Sequence, residues 1–259
     1  MGGAERTARK QRQQKAARRA VAQARGGDAN KKMIVAVIGI VVLAAVVIGG
    51  VLWTNSSKNT TAGQDVTPQT DRVVGGQVVE KRDGAVVLVG KPGVKQVVDV
   101  YADFLCPACG QFQELYGKKI EDKVNNGELG VRYHMVPFLN KNSDPPGYSL
   151  ESANAALVAA DFGKFTPFHD SLFKDQPEEG KRGYDKAQLI KLGQGLGITD
   201  PKFAEGVNGG SYEKQLIDDF SKTVNDPNFK GTPTVVYNGA RVEYGDPGWL
   251  DKMLGAGKG

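Results

Sequence analysis

Short runs of this chain alternate apolar and polar residues with period two, and others repeat with the helical period. "GQVVEKRDGAVVLVG" (residues 76–90) reads as two strands around Asp83-Gly84, a tight-hairpin dipeptide. "VKQVVDVYADF" (94–104) is β-branched, aromatic and alternating, as a strand is. The period then lengthens: Phe112, Leu115 and Ile120, with Tyr116 between, fit one broad helical face. "LGVRYHMVPF" (129–138) reads as a strand and "PFHDSLFKD" (167–175) as a helix. Leu150, Ala153, Leu157 and Ala160 share a helical face. Leu189, Leu192 and Leu196 form a stripe behind Asp185 and Gln188, which stand at capping-box spacing. Asp200 is placed as an N-cap with Pro201 at the first helical position. Tyr212, Leu216, Phe220 and Val224 make a further stripe, and these stripes are read as core packing. "TVVYNG" and "ARVEYG" then read as strands and "DPGWLDKML" as a helix.

One stretch has neither period. "MIVAVIGIVVLAAVVIGGVLW" (33–53) carries no charge over 21 residues, long enough as a helix to span about 30 Å, the thickness of a bilayer core. It exceeds the apolar part of a signal peptide and is apolar all round, unlike a core helix. It is read as a single transmembrane helix, with Gly49-Gly50 keeping processing open. Residues 1–32 hold ten Lys or Arg and two acids, a net +8 in a chain whose total is +5. The rest carries about −3, so the basic character belongs to the tail. A basic tail alone would suit nucleic acid, but ahead of an apolar span it is read as a cytoplasmic flank, with no nucleic-acid partner. The expected organisation is a basic tail (1–32), an anchor (33–53), a flexible polar linker (54–70) and a folded domain (71–259) on the extracytoplasmic side. "VGKPGVK" lacks the spacing of a phosphate loop.

The only two cysteines, Cys106 and Cys109, flank Pro107 and Ala108. Bridging them closes a loop of about four residues and constrains the unfolded chain by about 2 kcal/mol, against about 4.7 for a hundred-residue loop. The pair is a poor staple. It is well placed as a dithiol that opens and closes, because the second thiolate can displace what the first has captured. Pro107 suits the first turn of the following helix, which sets Cys106 at the helix N-terminus, where a thiolate is favoured. Cys106 is therefore expected to have a lowered pKa and to be the nucleophile, with Cys109 resolving. Zinc is the competing reading, but His134 and His169 are 35 positions apart and no metal is expected. Both histidines are read as structural.

A strand, "CPAC" and a helix, within "DFLCPACG", resemble the thioredoxin fold and, within it, the DsbA-like thiol-disulfide oxidoreductases, most of all the membrane-anchored ones of actinobacteria. "GTPT" (231–234) supplies a second mark, a proline expected in cis against the dithiol. The third is the long gap from Cys109 to Pro233, which this family fills with a helical insertion, here about 142–227. The resemblance covers about residues 72–257. It implies an α/β fold, thioredoxin with an inserted helical domain. Thr232 would present its backbone to an extended substrate, and Pro107, Ala108 and Pro233 would shape the site. Two departures stand out. The family's buried acid, six residues before the nucleophile, is here Val100, and Asp103 is expected at the mouth of the site. Alanine replaces the histidine frequent in strongly oxidising members, which implies a milder oxidant.

The function expected is an extracytoplasmic enzyme that introduces disulfides into exported proteins through a Cys106–Cys109 disulfide. It would be a monomer and need no cofactor. Reduced or unfolded exported proteins would be its substrates, and a DsbB-like or VKOR-like membrane oxidase its recycling partner. Reduction or isomerisation, as in cytochrome c maturation, is the alternative direction. A non-catalytic peptide-binding or chaperone module and a copper-delivery protein are further readings, the last opposed by the two-residue spacing.

Overall fold

The computed structural model describes residues 61–70 and 77–256. The basic tail, the apolar stretch 33–53 and the linker up to residue 60 lie outside the described residues. Among the described residues no helix is long and apolar enough to cross a membrane.

Among the described residues six strands form one sheet: β1 (Val79–Asp83), β2 (Val86–Gly90), β3 (Val97–Ala102), β4 (Gly130–Met135), β5 (Thr234–Tyr237) and β6 (Ala240–Arg241). Their spatial order is β1-β2-β4-β3-β5-β6, with β3 and β4 parallel and every other pair antiparallel. β1 and β2 turn at Gly84, whose φ of 62° suits glycine. In β3 the period-two pattern is clear: Val98, Val100 and Ala102 are buried while Asp99 and Tyr101 face the other way.

The connection from β3 to β4 is α1 (Pro107–Asn126), which ends at Gly127 in the left-handed conformation. Its buried stripe is Cys109, Phe112, Tyr116, Ile120 and Val124. Leu115, expected on this face, is exposed. At about 100° per residue it lies some 140° around the helix from Ile120, outside an arc that follows the i, i+4 ridge.

Five helices lie between β4 and β5: α2 (Tyr148–Ala160), α3 (Phe165–Lys174), α4 (Lys186–Gly195), α5 (Pro201–Gly209) and α6 (Glu213–Thr223). α2 does not have the single stripe expected of it. Eleven of its thirteen residues are buried, and its alanines and serines let neighbouring helices approach on all sides. Asp185 and Gln188 close a full capping box at α4, and Asp200 caps α5 ahead of Pro201. In α6 only Leu216 is fully buried, and Val224, just past its end, is exposed. α7 (Trp249–Ala256) returns to α1, where Trp249 meets Phe112 and Tyr116.

Residues 61–70 fall in the stretch read as a flexible linker, yet they pack on the helical part. Val66 is 3% exposed. Thr61 Oγ1–H donates to the Gly183 carbonyl at 2.7 Å, and the N–H groups of Thr67 and Gln69 donate to Asp175 and Ser171. A segment short of apolar residues is held here by one buried valine and by backbone and side-chain hydrogen bonds to residues far along the chain, which composition does not reveal.

Candidate active site

The turn from β3 into α1 is built by Asp103. Its Oδ1 accepts the Leu105 N–H at 2.8 Å, and its carbonyl accepts the Cys106 N–H. Cys106 then occupies the N-cap with φ −74° and ψ 116°, and Pro107 opens the helix. Cys109 follows at the third helical position, one turn in. Both sulfurs are unbridged thiols, and both residues are buried, Cys106 at 7% exposure and Cys109 at 2%.

The two thiols are driven apart electrostatically. Cys106 is lowered to about 6, first by the hydrogen bond from the Cys109 thiol and against the effect of burial. The Thr232 side chain and the N–H groups of Cys109 and Ala108 add to this. These N–H groups lie near the sulfur without closing a capping bond, since the Cys109 N–H is already engaged by the Cys106 carbonyl at 3.0 Å. Burial, and then the neighbouring Cys106 sulfur, push Cys109 well above the ordinary thiol value. The result is one sulfur that ionises near neutral pH and one that holds its proton.

Thr232 and Pro233 face the pair across a cis peptide bond. The Cys106 Sγ–H donates to the Thr232 carbonyl at 3.3 Å. The Thr232 hydroxyl is buried and makes no hydrogen bond in this arrangement, leaving it free to donate to a thiolate. Gly231, at φ 114°, admits the turn into this loop. Two tyrosines to which the sequence analysis gave no part in the site, Tyr116 being read there only as helix face, fix the loop to α1. Tyr244 O–H donates to the Pro233 carbonyl at 3.0 Å, and Tyr116 O–H donates to the Tyr244 carbonyl at 2.8 Å.

A groove of 520 Å³ runs along the loop, lined by Phe138, Gly231, Thr232, Pro233, Val242 and Tyr244 among others. A more polar cleft of 570 Å³ flanks Pro107 and Gly110 and is lined by Gln113, Asp170 and Gln176. From the end of α3, the Gln176 side-chain amide donates to the Phe104 and Cys106 carbonyls at 3.0 and 2.9 Å, steadying the turn. No local pattern marks Gln176 or Tyr244, because their partners are distant in sequence.

Asp103 is not at the mouth of the site, where sequence reasoning placed it. It is 1% exposed, and its Oδ2 accepts the Leu139 N–H at 2.7 Å. Burial, opposed by its backbone hydrogen bonds, pushes its carboxyl up to about 6. Val100, where the family's acid would stand, is packed in the sheet interior. The histidines stand elsewhere. His134 meets Asp99 at 2.8 Å, and His169 meets Asp170 at 2.9 Å among Phe104, Tyr133, Phe165 and Phe173.

Two thiols of opposed acidity beside a cis-proline, on a sheet with these helices, define a protein of the thioredoxin class built for thiol-disulfide exchange. The family model described as "Thioredoxin" matches residues 82–254. The solved structure of reduced disulfide bond oxidoreductase DsbG from Mycobacterium tuberculosis is 34% identical. It covers 72% of this chain and 90% of its own, with a TM-score of 0.56. Oxidised DsbA from the same organism is also 34% identical, covering 69% of this chain and 91% of its own, with a TM-score of 0.57. Serine/threonine-protein kinase PknE of M. tuberculosis is 29% identical over 178 residues, which are 65% of this chain and 31% of the kinase. The match thus spans about a third of that relative's length. The chain belongs to the thioredoxin family and, within it, to the DsbA-like thiol-disulfide oxidoreductases.

Proposed function

We propose that this protein is an extracytoplasmic, membrane-anchored, monomeric enzyme that donates the Cys106–Cys109 disulfide to exported proteins. The observation that carries the reading is the split between the sulfurs, with Cys106 at about 6 and Cys109 far above it. A substrate thiolate attacks Cys106 Sγ, the S–S bond breaks, and Cys109 leaves and takes up a proton. A second substrate thiolate then attacks the substrate sulfur of the mixed disulfide. Cys106 departs as a thiolate, and the substrate carries away the new disulfide. A stabilised leaving thiolate makes the enzyme disulfide easy to reduce, which favours donation over reduction. Thr232 and Pro233 line the groove where an extended substrate segment would lie, with Pro107 and Ala108 shaping the other side of the sulfurs. The apolar stretch 33–53 supports an anchor, and a DsbB-like or VKOR-like oxidase would regenerate the disulfide.

The test uses the full chain in membranes with Cys109→Ser whose Cys106 has first been converted to its mixed disulfide with thionitrobenzoate, so that an attacking client thiolate displaces the thionitrobenzoate anion as it would displace Cys109. Exported clients should accumulate as mixed disulfides on Cys106, and the wild-type dithiol, equilibrated with glutathione, should be more oxidising than thioredoxin at about −270 mV. A potential at or below that value, with no trapped client, refutes the reading.

A further inference from the structure

The exchange chemistry above uses both sulfurs and the cis-proline loop, and leaves one buried acid without a part. The two backbone hydrogen bonds of the Asp103 carboxyl reach different segments, and the Ser149 hydroxyl stands beside it at the start of α2. Oδ1 holds the Leu105 N–H, in the turn that delivers Cys106. Oδ2 holds the Leu139 N–H, in the connection from β4 to α2. The residue before Leu139 is Phe138, which is 45% exposed and lines the groove beside Thr232 and Pro233. Its ring lies 3.8 Å from where a side chain on Gly231 would begin. One carboxyl therefore joins the dithiol turn to the groove wall.

The titratable groups facing the Asp103 carboxyl are Cys106 at the start of α1 and Tyr148 at the start of α2, while the Asp103 backbone N–H meets the Cys109 sulfur. All three are acids. Cys106 acts on Asp103 in the same direction as burial, against its negative charge. Reduction by a substrate dithiol delivers two electrons and two protons. The substrate's two S–H bonds break, its sulfurs join, and the Cys106–Cys109 bond opens. Cys109 keeps one proton and Cys106 stays a thiolate above its pKa of about 6. The second proton goes to Asp103 or to solvent, and the new sulfur anion draws it toward Asp103.

We propose that Asp103 is a positioning residue that couples the redox state of the dithiol to the groove. An ionised Asp103 in the oxidised protein holds Leu139, and with it Phe138, firmly, and reduction loosens that hold so that the bound segment is released. A charge-assisted hydrogen bond is roughly twice as strong as a neutral one, which sets the size of the effect. This inference rests on reading the groove as the substrate site.

The experiment measures the affinity of a capped, cysteine-free hexapeptide, with serine where a substrate has cysteine. It is run on the oxidised and reduced full chain at pH 6 and pH 4.5. At pH 6, where Asp103 is about half ionised in the reduced protein, the oxidised protein should bind up to about twofold more tightly, and the difference should shrink at pH 4.5, where Asp103 is largely neutral. Asp103→Asn should abolish the difference at pH 6, while Phe138→Ala should weaken binding in both redox states. Equal affinities at pH 6, a difference undiminished at pH 4.5, or one that survives Asp103→Asn would overturn the coupling alone. If Asp103→Asn does not fold, the two pH values decide on the wild type. Absence of binding in every state overturns the groove reading and the coupling together.

Discussion

Removing the Cys109 thiol should raise the pKa of Cys106 by a calculable amount. The thiol's hydrogen bond is the largest single cause of the lowering to about 6. Hydrogen bonds to charged groups contribute about 1.5–3 kcal/mol, or about 1–2 pKa units, and an S–H group is a weak donor, so the lower end applies. In Cys109→Ala the pKa should therefore rise to about 7, and the thiolate fraction at pH 7 should fall from about 90% to about 50%. It should not reach the free-thiol value, because the Thr232 side chain and the helix N-terminus still favour the anion. Cys109→Ser keeps a hydroxyl donor and should stay at or below the wild-type value. The assay is thiolate absorbance against pH, checked by the rate of alkylation with iodoacetamide. An unchanged value in Cys109→Ala would show that the neighbouring thiol is not the main stabiliser. A rise to about 8.5 would show that the helix N-terminus and Thr232 do no more than offset burial.

Two further outcomes are expected. The depressed pKa of Cys106 stabilises the reduced fold fully above the free-thiol value, and that contribution is lost as pH falls through about 6. At pH 7 it is about 1 kcal/mol after allowance for solvent access, so urea unfolding of the reduced protein should show it against Cys106→Ser between pH 5 and 9. Identical pH profiles for the two proteins would contradict it. Val66→Ala, in the segment before the sheet, should cost about 1–3 kcal/mol because the side chain is in the core. A loss below about 0.5 kcal/mol in a thermal melt would mean that residues 61–70 are only loosely attached.

What was legible in the sequence was local. The capping box of Asp185 and Gln188, the Asp200-Pro201 start and the Asp83-Gly84 turn each join neighbours in the chain, and the structure has all three. What was not legible needed partners far along the chain. Burial of α2 on every side depends on the helices around it, so a stripe read from four of its residues understated it. The docking of residues 61–70 depends on Ser171, Asp175 and Gly183, more than a hundred positions away. Asp103 is an intermediate case. Its bond to the Leu105 N–H is a local turn that the sequence permits, but its burial and its second bond, to Leu139, depend on a segment 36 positions away.

The opposed acidities of two cysteines three positions apart follow from where the helix begins. Pro107 fixes that point, since its ring suits the first helical position and its missing N–H removes no helix bond. The preceding residue must then be the N-cap, with its side chain at the end of the helix where N–H groups are unsatisfied. Serine or aspartate would normally sit there, and the Cys106 thiolate takes that place. Three residues on, a side chain has turned into the helix's buried face, where Cys109 joins the stripe of Phe112 and Tyr116 and loses its access to water. Starting the helix one residue later would move Cys106 off the cap and turn Cys109 by about 100° relative to the helix start. Both shifts would then shrink together. The two-residue spacing thus puts one sulfur at the cap and the other in the core, and the Cys109 thiol, kept protonated by its burial, becomes the donor that holds the Cys106 anion.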